Sequence, residues 1–276
     1  MLDVVVDTLL DLLKLFPFLF LAFLIIELIE HKLNNDKIIK KSGKYGPFIG
    51  SILGAVPQCG FSVLATNLYI TRVISLGTLI SIYLATSDEM VPVLISHNVS
   101  VIFILKVVGL KVLIGMVCGF VIDLIYRKSV NKNNYDICND EHCHCKEGIF
   151  KSTLIHTFNT LFFILIITFL LNVLFKYVGD TFLSKLFLKN SIFGPFISSL
   201  IGLIPNCGAS VLITELYLSG AISFSSLMSG LLTGSGVAIL VLFKSNKDKK
   251  DNIRILLLVY FIGVLSGIII EIFSRF

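Results

Sequence analysis

The chain has 276 residues, 55% of them hydrophobic and 15% charged, where soluble domains carry about 25% charged residues. With a mean hydropathy of +0.92, a disordered chain and a nucleic-acid-binding domain are excluded, and a cytosolic enzyme is disfavoured. The net charge of +5 comes from basic clusters between apolar segments, such as Lys37, Lys40, Lys41 and Lys44, a pattern of membrane orientation rather than of a basic binding face.

In chain order, the first apolar segment runs from about Val4 to Ile29. Asp3 and Asp7 stand where a signal peptide would carry Lys or Arg, so a retained membrane helix is expected. Asp3, Asp7 and Asp11 share one helix face, its solvated outer end. Next comes GPFIGSILGAVPQCGFSVLATNLY from Gly46. Gly46 to Val56 is 11 residues and Phe61 to Arg72 is 12. At about 1.5 Å per residue each arm covers roughly half a bilayer. Pro57 removes a backbone donor and Gly60 relaxes the chain, so the helix must break between the arms. Apolar segments near Leu76 to Ile95 and Lys106 to Tyr126 follow, each long enough to cross a hydrocarbon core of about 30 Å. A polar loop containing CNDEHCHCKEG separates these from a second series. That series has Leu154 to Phe175, GPFISSLIGLIPNCGASVLITELY from Gly194, Phe224 to Phe243 and Ile253 to Phe273.

The second series repeats the first. Gly46 to Leu94 aligns without gaps on Gly194 to Leu242, with 23 of 49 positions identical. Shared Pro, Cys, Gly, Ser and Tyr in register mark a duplicated unit. Residues 1–130 form a first membrane repeat, 131–150 a Cys/His-rich linker and 151–276 a second repeat. An odd number of crossings per half inverts the two halves. The basic clusters then place the linker in the cytoplasm, with Lys176, Lys185 and Lys189 dissenting on the outside. The expected fold is an all-α integral membrane protein of two inverted-topology repeats, each with a broken or re-entrant helix pair at the midplane.

Several residues bear chemistry. Cys59 and Cys207 stand at the positive N-terminal ends of the second arms, which favour thiolate. Thiolates select soft ions. Gln58, Asn206, Ser62 and Ser210 add oxygen or amide ligands, and the bland alternative is packing at a tight crossing. Asp88 and Glu89 lie inside an apolar run, and with Glu215 and His156 they are candidates for cation binding or ion coupling. Lys106 and Lys111 are expected to snorkel to an interface, although Lys106 can also pair with Asp88 or Glu89. Gly115 with Gly119, and Gly263 with Gly267, mark close helix packing. Cys118 is a packing residue. In the linker, Cys138, His142, Cys143, His144 and Cys145 offer five ligands for zinc or a softer ion. No cofactor is obligatory.

The doubled PQCGFS and PNCGAS hexads, the Ser87-Asp88-Glu89 run and the HCHC loop resemble the ten-helix heavy-metal exporter family. That family is related by name to arsenic-efflux permeases and is also labelled a manganese transporter. The resemblance implies a secondary transporter, not an enzyme, in the cytoplasmic membrane. It exports a metal or metalloid ion, with energy from an ion gradient or from the substrate's own gradient because no ATP-binding motif is present. Bilayer and ion are the expected partners, nucleic acid is not, and homo-oligomer formation stays open. The alternatives are a permease for a small sulfur-containing solute, a channel-like metal sensor, or a membrane thiol oxidoreductase using Cys59 and Cys207. The last would need a CxxC or a quinone site, and neither is visible.

Overall fold

The computed structural model describes residues 13, 16–17, 20–21, 24, 45–56, 59–87, 90–126, 153–154, 157–158, 161–162, 165–166, 169 and 193–275. Every regular element among them is a helix. The first repeat supplies α1 (Gly46–Gly54), α2 (Cys59–Ile70), α3 (Leu76–Ala85), α4 (Met90–Ser96) and α5 (Val101–Tyr126). The second supplies α6 (Gly194–Gly202), α7 (Cys207–Leu218), α8 (Phe224–Thr233), α9 (Ala238–Ser245) and α10 (Lys249–Arg275). Each helix of the second set starts 148 residues after its counterpart in the first, so the duplicated sequence is a duplicated structure.

Local signals explain the matched boundaries. Pro47 and Pro195 open α1 and α6, where the missing N–H costs nothing. Ser75 and Ser223 cap α3 and α8 with the same backbone, φ −78 and ψ 164. Each serine oxygen accepts an N–H of the first turn, from Thr78 at 3.1 Å and Ser226 at 3.3 Å, which satisfies an otherwise orphaned donor.

Glycine contacts set the packing within each repeat. A Cβ on Gly115 would lie 2.8 Å from Ser81 O, and one on Gly119 would lie 2.6 Å from Gly77 O. On Gly267 it would meet Ser229 Cβ at 2.6 Å. The two GxxxG pairs therefore do bring α5 onto α3 and α10 onto α8 at backbone contact. Cys118 is half-buried beside a core cluster, a packing position.

Among the described residues four stretches are long and apolar enough to cross a membrane: Leu76–Ser96, Val101–Tyr126, Phe224–Ser245 and Lys249–Ser274. Two of them differ from the continuous segments expected from hydropathy. The first is interrupted between Ala85 and Met90, and the third between Thr233 and Ala238. Thr86 turns to ψ 126 at the end of α3, and Gly236 takes φ +56 after α8. Polar runs at both places, Thr86-Ser87 and Gly234-Ser235-Gly236, interrupt the helix that hydrophobicity alone would continue.

The repeats are interleaved rather than adjacent. Helix α2 packs on α9, α7 packs on α4, and α3 touches α8. One core cluster joins Val63 and Tyr83 to Val241 and Val259, and the other joins Met90 and Val107 to Ile213 and Leu231. At one junction Tyr69 Oη donates to Asp251 Oδ2 at 2.8 Å, and Asn246 Nδ2 donates to the same oxygen at 3.2 Å. At the equivalent junction Tyr217 stacks on Phe103, centroids 5.7 Å apart, with Phe224 edge-on to both. The pseudo-symmetry is kept while its chemistry changes from polar to aromatic.

Candidate functional site

The hexads place Cys59 and Cys207 as the first residues of α2 and α7. Both helices are short, 12 residues each, and a helix start has no intrahelical acceptors for its first N–H groups. The N-cap of α7 is Asn206, extended at φ −145 and ψ 142, whose Oδ1 accepts from Gly208 N at 3.0 Å. Asn206 is buried, so this candidate ligand first serves as a helix cap. Ser62 and Ser210 lie one turn further along, Ser62 fully buried. Their carbonyls accept the hydroxyls of Thr66 and Thr214 at 2.7 Å.

A second contact fixes depth. Thr66 Oγ1 and Tyr83 Oη share a hydrogen bond of 2.6 Å, joining α2 to α3. From that contact Cys59 lies seven residues back along α2, and Thr86 three residues forward along α3. The helices are joined by the short Thr71 to Ser75 turn, so both steps lead to the same end of the pair. At about 1.5 Å per residue the two positions differ in level by roughly 6 Å. The hexad and the α3–α4 interruption therefore share one region, and the matched boundaries put the second hexad beside the α8–α9 interruption.

Lys111 joins the two regions. It is 1% exposed, which corrects the expectation that it snorkels to an interface. It lies on the buried seam of α5 formed by Ile104, Val107, Gly115, Gly119 and Ile122, so its stem is enclosed by packed helices. Its Nζ donates to Thr86 O and to Leu231 O, the latter at 2.8 Å. Ser235 N bonds Thr233 O at 2.9 Å rather than continuing the helix. The end of α8 thereby leaves Leu231 O to the ammonium. Lys106 is exposed, with Nζ 5.8 Å from the Phe224 ring centroid.

Glu215 sits half-exposed on α7, its Oε1 2.9 Å from His97 Nε2 in the α4–α5 connection. It thus ties one repeat to the other near the far end of α7 from Cys207. Gln58, Asp88, Glu89, His156 and the linker residues Cys138, His142, Cys143, His144 and Cys145 lie outside the described residues, as do the side chains of Cys59 and Cys207 and the helix face of Asp3, Asp7 and Asp11. Among the described residues no group of three His, Cys, Asp or Glu converges as a metal site. Two other acids, Asp123 and Glu271, equivalent at the 148-residue offset, are structural. Asp123 accepts from Ser75 Oγ at 2.7 Å and Gly77 N at 2.9 Å, and Glu271 accepts from Ser225 Oγ.

An all-helical, multi-pass membrane protein of two repeats, with helix interruptions beside paired hexads, is the class these features define. The chain matches the family described as "Putative, 10TM heavy-metal exporter" over residues 1–182 and 167–275, and it belongs to that family of membrane transporters. No curated protein and no solved structure matches it.

Proposed function

We propose that this protein is a secondary transporter exporting a soft heavy-metal or metalloid ion across the cytoplasmic membrane through a site between its two hexads. The observation that carries this reading is the pairing of the hexads: each begins a matched short helix with a cysteine at its N-terminus. Helix N-termini stabilise thiolates, and thiolates favour soft ions such as trivalent arsenic over hard ones. Family membership supports transport of a heavy metal. Ser62, Ser210, Gln58 and Asn206 are the further ligands in this reading. Asp88, Glu89 and Glu215 are the acids that carry coupling ions, with His156 as an additional titrating group. The driving force is an ion gradient.

We also infer an inverted arrangement. Tyr69, at the end of α2 where α3 is about to begin, meets Asp251 just beyond the end of α9. The span Phe224–Ser245 thus ends on the side where Leu76–Ser96 starts, which supports antiparallel spans and halves of opposite orientation. Basic residues flanking the linker support its cytoplasmic location. There Cys138, His142, Cys143, His144 and Cys145 bind zinc or a softer ion for delivery to the transporter.

The test is uptake into proteoliposomes across a panel of arsenite, Cu(I), Zn²⁺ and Mn²⁺. Soft ions should be moved in a protein-dependent manner, and more slowly when residues 136–148 are deleted. Transport of Mn²⁺ alone would replace the thiolate site by one of carbonyls and carboxylates.

A further inference from the structure

We propose that the Thr86 and Leu231 carbonyls form a monovalent-cation site between the two repeats, and that the Lys111 ammonium is its tethered occupant. The proposal does not depend on the identity of the exported ion. Both carbonyls lie at the C-terminal ends of interrupted helices, α3 and α8. Such ends carry unpaired carbonyls and the negative pole of the helix dipole, and here one end comes from each repeat. Nζ bonds both oxygens, so the two negative poles converge on a single point. An oxygen-lined point of this kind suits a hard monovalent cation or a primary ammonium.

Two further observations support a site rather than incidental burial. The position equivalent to Lys111 in the second repeat is Val259, which is fully buried. The equivalent position thus packs without a charge, and packing does not account for the lysine. Ser235, in the α8–α9 interruption, has a fully buried hydroxyl with no hydrogen-bond partner among the described residues. It is an additional oxygen four residues after Leu231, in the interruption that ends α8. A covalently attached ammonium keeps the site filled at every cation concentration, so the junction of the repeats needs no free Na⁺ or K⁺.

Lys111→Ala removes the tether and leaves a space with the shape of n-propylammonium. The variant is purified in detergent, and its melting temperature is followed in n-propylammonium chloride and, at equal ionic strength, in tetramethylammonium chloride, which has no N–H donor. In tetramethylammonium it should melt on the order of 5 °C below the wild type. In n-propylammonium it should regain at least half of that loss, with saturation, while the wild type responds to neither salt. Equal melting in the two salts would overturn the proposal. So would equal restoration by n-propanol, which would show space-filling without a cation requirement. If Lys111→Ala does not survive purification in tetramethylammonium, recovery during purification in n-propylammonium is the measurement, and no gain in yield overturns the proposal equally.

Discussion

Between α7 and α8 the chain turns through Gly220 at φ +72, and in the first repeat the same turn is made by Arg72 at φ 61. A side chain in this left-handed conformation costs about 1–2 kcal/mol. A Cβ on Gly220 would meet nothing within 4 Å, so the cost of substitution there is one of backbone conformation alone. Gly220→Ala should lower stability by about 1 kcal/mol, read as a small fall in melting temperature with unchanged oligomeric state. A second residue-scale expectation concerns Asp123, whose carboxylate takes a hydroxyl and an amide proton at the start of α3. Asp123→Ala should cost about 2 kcal/mol, since hydrogen bonds to a charged group are worth about 1.5–3 kcal/mol. Asp123→Asn, which keeps an acceptor, should lose less. The equivalence of Asp123 and Glu271 at the 148-residue offset is legible in the sequence, but the contacts that either carboxylate makes are not. Lys111 was not read correctly because a lysine in an apolar run has a simple interfacial explanation. Its register was the available signal: it precedes Gly115 by four residues and Gly119 by eight, so it shares their buried face.

At the scale of elements, glycine and proline made the short helices legible. The PQCG and PNCG breaks follow from backbone chemistry, and the structure starts α2 and α7 at their cysteines. The interruptions after Ala85 and Thr233 were hidden because the apolar runs around them have the length of full spans. Polar residues inside those runs were legible as chemistry but not as helix ends. The contact of α5 with α3 leaves no room for a side chain at its glycines. Gly115→Leu should therefore push the helices apart and cost about 1–3 kcal/mol or more, measured by thermal unfolding in detergent. The same change at Gly109, where a Cβ meets nothing within 4 Å, should have little effect on the fold.

At the scale of the molecule, the duplication was legible because identical residues recur in register, whereas the interleaving was not. Tyr69 and Asp251 are 182 residues apart, and no local pattern links them. In the inverted arrangement we infer, equivalent residues face opposite sides of the membrane. Tyr45 and Phe193 are equivalent and well exposed, at 63% and 66%. With native cysteines replaced by serine, Tyr45→Cys should be labelled by an impermeant maleimide from the cytoplasmic side only and Phe193→Cys from the outside only. Labelling of both from one side would contradict opposite orientations.

Paired thiols at the two hexads bind the exported ion in the mechanism we propose, and serine substitution is its decisive test. Serine nearly preserves volume and removes the soft ligand. In proteoliposomes, Cys59→Ser and Cys207→Ser should each slow transport of the soft ion by about tenfold or more, an apparent free-energy change of about 1.4 kcal/mol, while melting close to the wild-type temperature. The double variant with wild-type rates would contradict the thiolate site and leave the hexads as hinges in the helices.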